Sequence, residues 1–331
     1  MNDTKVRVAV VGVGDFGRNH ARIYSQLPGA ALVGVVDADP ERSRKSAAEY
    51  STAVLPDLES LRGKVDAVSL AVPTVYHAEI GCRLLEMGID VLVEKPMAAS
   101  LADADRLIDA AGRNNRVLQI GHLERFNPAV RAVAGVVRQP LYFEVHRLGV
   151  FTPRSLDIDV VYDVMIHDLD ILLAFTNSPV IEVRSLGIPV VTEKIDIAHA
   201  RLEFASGAVA SVTASRVSTE KVRKVRFFQA HEYISLDYTR QDAVRIRVLQ
   251  PGPNPQFDYQ KFPTERQEPL EGELRAFLDA FRSRSAPLVD GHAGRRALAL
   301  ADRVMAGILE HGRSVQLPAF GGVQGNPQGH Q

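Results

Sequence analysis

The chain has 331 residues, which at roughly 150 residues per domain suggests about two domains. Hydrophobic residues make up 46% and charged residues 24%, ordinary values for a globular protein with a buried core. With 39 Lys and Arg against 40 Asp and Glu, the net charge is −1, which argues against a dedicated nucleic-acid or membrane-surface protein, since either normally carries a basic excess. The single cysteine, Cys82, excludes an intrachain disulfide and a thiolate zinc site. No apolar run reaches the roughly 20 residues that span a bilayer. Met1 to Arg7 lacks the apolar core of a signal peptide, so a cytoplasmic location is expected.

Over the first third, short β-rich runs alternate with amphipathic stretches. The pattern predicts strands near 7–11, 31–37, 53–55, 65–72, 90–94 and 116–121, and helices near 16–27, 40–50, 76–87 and 101–113. Continuous apolar strands alternating with helices specify a doubly wound parallel sheet covered on both faces, here over 1–122. A helix predicted near 128–137 follows, and then strands dominate, near 141–148, 180–187, 197–204, 208–216, 222–229, 233–237 and 243–249. Strand after strand implies an open, mostly antiparallel sheet. One predicted helix, near 161–175, interrupts the run. Two more, near 268–284 and 293–310, are expected to close this α+β unit over 123–318. An uncovered sheet face often finds a second copy of itself, so a homo-dimer or homo-tetramer through the C-terminal sheet is expected. The Gly/Gln-rich segment 319–331 reads as a disordered tail.

Gly12-Val13-Gly14-Asp15-Phe16-Gly17 fits G-x-G-x-x-G between a predicted strand and a predicted helix. The first glycine permits a tight turn, the second lets the backbone approach a diphosphate, and the third lets helix and strand pack closely. The helix N-terminus, at Asp15 and Phe16, faces the anion. Asp37 ends the second strand, where a carboxylate accepts from a ribose diol and repels a 2′-phosphate. NAD is therefore expected over NADP, although Arg42 and Arg44 lie close enough in sequence to receive that phosphate.

Lys95-Pro96 follows the fifth predicted strand. Ligands of open α/β sheets sit outside the C-terminal strand ends, so Lys95 stands where a reacting hydroxyl could be hydrogen-bonded and its developing charge stabilised. Taken alone, a lysine there more often reads as a solvated surface residue. Asp163, His167 and Asp170 share one face if 161–175 is a regular helix. A histidine beside a carboxylate is a supported proton acceptor, yet the same pattern suits a solvated acidic face or an i, i+4 metal pair. No metal is expected.

Taken together, Gly12–Gly17, Glu94-Lys95-Pro96 and Asp163 with His167 resemble the glucose-fructose oxidoreductase / inositol dehydrogenase (Gfo/Idh/MocA) family, from Lys5 to about Leu317. The resemblance implies a Rossmann domain, then an α/β domain whose open sheet makes oligomers, and NAD(P)-dependent oxidation or reduction of a sugar or polyol hydroxyl. It implies that Lys95, Asp163 and His167 are catalytic. It places Pro73, His77, Glu94 and Arg125 at the cofactor, and Asn127 and Arg154 at the substrate. One departure is Met165, where many members carry glycine; its size would alter the substrate pocket.

Gly121–Pro128, Arg154–Val160 and Met165–Asp170 are similar, more narrowly, to the branch of UDP-N-acetylglucosamine 3-dehydrogenases. That implies a 3-keto sugar-nucleotide product and a downstream aminotransferase partner making 3-amino sugars of the lipid A type. A myo-inositol, polyol or simple-sugar dehydrogenase, or a non-catalytic NAD-sensing protein, are the alternatives. For an anionic sugar nucleotide, Arg147, Arg154, Arg216 and the basic run Lys221–Arg226 are candidate cations. That run reads equally as a solvated edge strand.

Overall fold

The computed structural model describes residues 5–153 and 157–315, so Arg154 and the predicted tail 319–331 lie outside the described residues. Six strands form the first sheet: β1 (Val6–Val11), β2 (Ala30–Val36), β3 (Ala53–Val54), β4 (Ala67–Leu70), β5 (Asp90–Glu94) and β6 (Leu118–Gly121). Their order is β3-β2-β1-β4-β5-β6, all parallel. The order reverses between β1 and β4, which is where such a sheet opens a crevice beyond its strand ends. Strands β4, β5 and β6 are buried throughout because helices cover both faces, and this is why they read as unbroken apolar runs. Four helices connect them: α1 (Asp15–Gln26), α2 (Pro40–Glu49), α3 (His77–Glu86) and α4 (Leu101–Arg113).

The short helix α5 (Pro128–Val133) leads into the second sheet. Its strands are β7 (Tyr142–Leu148), β8 (Val180–Ile188), β9 (Ile197–Phe204), β10 (Val209–Ser215), β11 (Val222–Gln229), β12 (Glu232–Asp237), β13 (Asp242–Gln250) and β14 (Gln256–Lys261). The order is β14-β13-β12-β11-β7-β10-β9-β8, antiparallel except for the β7–β10 pair. Alternation sorts its side chains. Phe143, Val145, Val212, Phe227, Ile234 and Leu236 are buried against helices. On the other face the register lines up Tyr142, Phe228, Tyr233, Ile246 and Tyr259 in one row across five strands. No element among the described residues covers that row fully, and Tyr259 is 64% exposed. Strand β14 is not among the predicted elements, because two aromatics among polar residues make a weak period-2 signal.

Three expectations are corrected here. The helix predicted near 161–175 begins as a π-turn (Val161–Met165) and becomes regular only in α6 (Ile166–Thr176). Helix α7 (Pro269–Ser283) does not close the second unit. It buries Leu274, Phe277 and Leu278 with Val8, Tyr24 and Val35 of the first layer. Helix α8 (Gly291–Val315) serves both cores: Ala293 and Leu298 pack with the first, Ala297, Leu300, Ala301 and Val304 with the second. An amphipathic stripe shows that a helix has a buried face, not which sheet it is buried against.

Phe227 and Phe257 provide a direct test of this alternation. Phe227 is fully buried between Phe143 and Phe175, at ring-centroid distances of 5.3 and 5.0 Å, whereas Phe257 is 59% exposed. Phe227→Ala should cost about 3–5 kcal/mol in denaturant unfolding, and Phe257→Ala should stay within about 0.5 kcal/mol.

Candidate active site

The glycine turn after β1 is built as its sequence demands. Gly12 has φ +85°, and a Cβ there would stand 2.7 Å from the Ala71 carbonyl. A Cβ on Gly17 would collide with the Gly12 carbonyl. Gly14 caps α1 with no side-chain hydrogen bond of its own, and a Cβ there would meet only the Arg42 guanidinium, at 3.9 Å. These features fit a dinucleotide diphosphate. The Asp37 carboxylate pins the turn from the end of β2, accepting from the amides of Val13 at 2.7 Å and Asp39 at 2.9 Å. Arg42 Nε lies 3.5 Å from the same carboxylate.

A cavity of about 580 Å³ opens beyond the strand ends. Its walls bring together Phe16, Pro73, His77, Glu94, Lys95 and Asp163, six of the sequence-predicted residues, with Tyr162 and Leu298 from the far side. His77 is buried and stands between two carbonyls, with Nδ1 3.0 Å from Pro96 and Nε2 2.9 Å from Val72. It therefore ties the loop after β4 to the Lys95–Pro96 peptide, which is cis. Glu94 is buried beneath. Burial alone would raise its pKa, but contact with His20 Nε2 at 2.9 Å, the Lys95 charge and the Lys95 amide hold it below the usual carboxylate range. His20 was not singled out in the sequence; its only signal is a place on the buried face of α1.

Lys95 Nζ reaches from the end of β5 to the π-turn that precedes α6. It donates to the Asp163 carbonyl at 2.6 Å and to Asp163 Oδ1 at 3.1 Å. An ammonium has three donors, so one remains for a ligand in the cavity. The π-turn presents both oxygens of Asp163 to it, and such turns occur often at functional sites.

The turn also separates Asp163 from the expected common face. His167 is not on the cavity wall. It is 9% exposed, with Nδ1 unpartnered and its ring edge-on to His122 at 6.1 Å between centroids. Burial, then the charges of Lys95 and Arg147, push its pKa well below the ordinary histidine value. The imidazole is neutral at neutral pH and able to accept a proton. Asp170 is buried deeper, 3.9 Å from Arg125 Nε.

Other expectations are revised by packing. Arg125 borders a separate cavity with Phe175 and Leu288. Asn127 is 1% exposed and occupied inside the fold. It caps α5 by accepting from the Ala129 amide and donates to Glu124 and to the Tyr238 carbonyl. Met165 is fully buried in the second core and does not shape the cavity. Arg147 is 4% exposed and fully engaged. It donates to Asp168 at 2.6 and 2.9 Å and to Glu124 at 2.9 Å, and lies over the Tyr238 ring at 4.6 Å. Arg216 is buried against Asp196 and the Ile158 carbonyl. Neither of these two arginines is available to a substrate phosphate. Strand β11, which carries the basic run, is central rather than at an edge. Among the described residues no helix is long and apolar enough to cross a membrane, and no group of three His, Cys, Asp or Glu could hold a metal ion.

Two family descriptions match the chain. One, an oxidoreductase family with an NAD-binding Rossmann fold, matches 6–122, and the GFO/IDH/MocA C-terminal domain matches 129–231. The chain is 36% identical to the UDP-N-acetylglucosamine 3-dehydrogenase of Acidithiobacillus ferrooxidans, over 92% of this chain and 97% of that protein. A solved structure of that enzyme superposes with a TM-score of 0.87 at 35% identity, covering 92% of this chain and 98% of the other. The myo-inositol 2-dehydrogenase of Thermotoga maritima is 27% identical over 94% of this chain and 98% of its own length.

Two consequences follow for stability. Arg147→Ala would leave two buried carboxylates uncompensated and should cost about 3–5 kcal/mol in denaturant unfolding. His77, His122 and His167 all have pKa values lowered by burial. The unfolded chain, with histidines near about 6.5, binds more protons than the folded one below that pH. Stability should be intact at pH 7 and fall as the pH drops below about 6.5, by up to about 1.4 kcal/mol per pH unit for each histidine. Unfolding midpoints at pH 7.5, 6.5 and 5.5 measure this, and His122→Phe should flatten the slope.

Proposed function

The chain belongs to the Gfo/Idh/MocA oxidoreductase family, and from that membership we propose that it oxidises the C3 hydroxyl of UDP-N-acetylglucosamine to the 3-keto sugar nucleotide. The observation that carries this reading is 36% identity with a UDP-N-acetylglucosamine 3-dehydrogenase over 92% of the chain. The Lys95–Asp163 geometry supplies chemistry to match. NAD is the proposed cofactor and, when bound, its nicotinamide accepts the hydride.

The residues divide the work. Gly12, Gly14, Gly17 and the α1 amides, with Asp15 and Phe16 at the helix start, take the diphosphate, and Asp37 takes the ribose diol. Asp37 favours NAD over NADP, with Arg42 moderating the preference. Pro73 and the loop held by His77 border the nicotinamide. The spare donor of Lys95 points a hydrogen bond at the reacting hydroxyl and stabilises the alkoxide as hydride departs. Asp163 holds that ammonium in place. Neutral His167 receives the hydroxyl proton, either directly on cleft closure or through one water. The product belongs with a transamination step, which would replace the new ketone by an amine. We further propose residues 1–122 as the cofactor half and 123–318 as the substrate half, a cytoplasmic location, and pairing of two copies through the aromatic row on the open sheet face.

Incubation with NAD⁺ and UDP-N-acetylglucosamine should produce NADH together with a 3-keto sugar nucleotide detectable by mass spectrometry, while myo-inositol should give neither. The reverse result would replace the sugar nucleotide by a polyol. Lys95→Ala and His167→Ala should each lower turnover by about 100-fold or more with NAD binding retained. Near-normal turnover in either variant would remove that residue from the mechanism.

A further inference from the structure

The basic run 221–226 acquires a different meaning once β11 is placed in its sheet. Alternation divides the run between two faces. Lys224 and Arg226 point to the open face, where they meet Asp237 at 3.9 Å and Glu144 at 3.0 Å. Arg223 points the other way, to the face on which Val225 and Phe227 enter the core. It lies past the end of that core and is exposed.

The register sets Arg223 directly opposite Arg147 on β7. Like charges across a strand pair are unfavourable unless something answers them. Arg147 is answered twice, by Asp168 and Glu124. Among the described residues no side chain forms an ion pair or hydrogen bond with the Arg223 guanidinium. Yet this cation is close enough to the proposed catalytic groups for its charge to help keep His167 neutral, and Asp163 acts on it in turn. An unanswered guanidinium next to a buried one, at the margin of a reaction site, is an unfinished anion site. A planar fork of donors suits the oxygens of a phosphate far better than a neutral hydroxyl.

We infer that Arg223 is a specificity-determining residue that binds a diphosphate oxygen of the substrate, selecting sugar nucleotides over uncharged sugars and polyols. The inference rests on the sugar-nucleotide reading above. It differs from that reading in naming the receptor, and it reverses the expectation that Arg147 and Arg216 would serve.

The test uses the whole protein and two probes. With UDP-N-acetylglucosamine as substrate, Arg223→Ala should raise KM about 10- to 100-fold, the loss falling on KM rather than on kcat, with KM for NAD⁺ unchanged. Arg223→Lys should recover part of the loss, since it restores the charge without the fork. With UDP alone, calorimetry should show binding to the wild-type protein weakened by the same factor in Arg223→Ala, and no such change for NAD⁺. Equal UDP affinity in wild type and Arg223→Ala, or no UDP binding to wild type, overturns the inference. UDP binding that depends on Arg223 in a protein that oxidises only another alcohol would sustain the anion site while overturning the proposed substrate.

Discussion

The contact between Lys95 and Asp163 is the interaction around which this molecule is organised. The two residues come from different layers of the fold, one from the end of a parallel strand and the other from a widened helical turn, and meet at 3.1 Å with the backbone carbonyl as a second acceptor at 2.6 Å. An ammonium with little access to water is costly unless its partners are well placed. The surrounding structure supplies that placement. Glu94 and His20 brace the strand end from below, His77 fixes the neighbouring loop, and Arg147 with Asp168 and Glu124 anchors the helix that follows Asp163.

Charge in the site is layered in the same way. Compensated ions lie inside, where desolvation requires them to be paired: Arg147 with two carboxylates, Arg216 with Asp196, Glu94 with His20. Groups with unused capacity lie toward the opening: the remaining donor of Lys95, the lone pairs of Asp37 and the guanidinium of Arg223. A net charge of −1 averages over both layers and reports neither.

Much of the Rossmann layer was legible from sequence because its signals are local. Gly12 to Gly17 follow one strand and open one helix, and their roles depend on backbone geometry that neighbouring residues dictate. The position of Lys95 at a strand end was equally readable, since the strand itself is an unbroken apolar run. The second layer was less legible. Asp163 and His167 were found, but their relation was not, because periodicity assumes a regular helix and the π-turn between Val161 and Met165 leaves no trace in the spacing of apolar residues. Arg147, Arg216 and Asn127 are polar residues near the site that the core consumes. Which of several arginines is spent on the core depends on partners up to 23 residues away in the chain for Arg147, and up to 58 for Arg216. Arg223 is told from Lys224 by strand register alone.

Helix α8 has its own consequence. One turn of it carries Ala297, which packs on the second sheet, and Leu298, which packs on the first. Helix α7, just before it, fills the first core with Phe277 and Leu278. The core of the first sheet is thus finished by chain that has already passed through the second sheet. A cut at residue 122, where the first sheet ends, would yield a fragment with an exposed apolar groove rather than a portable nucleotide-binding module. The same interleaving makes the two sheets report on each other's integrity: damage to the second layer loosens the helix that seals the first, so the two layers are expected to unfold together.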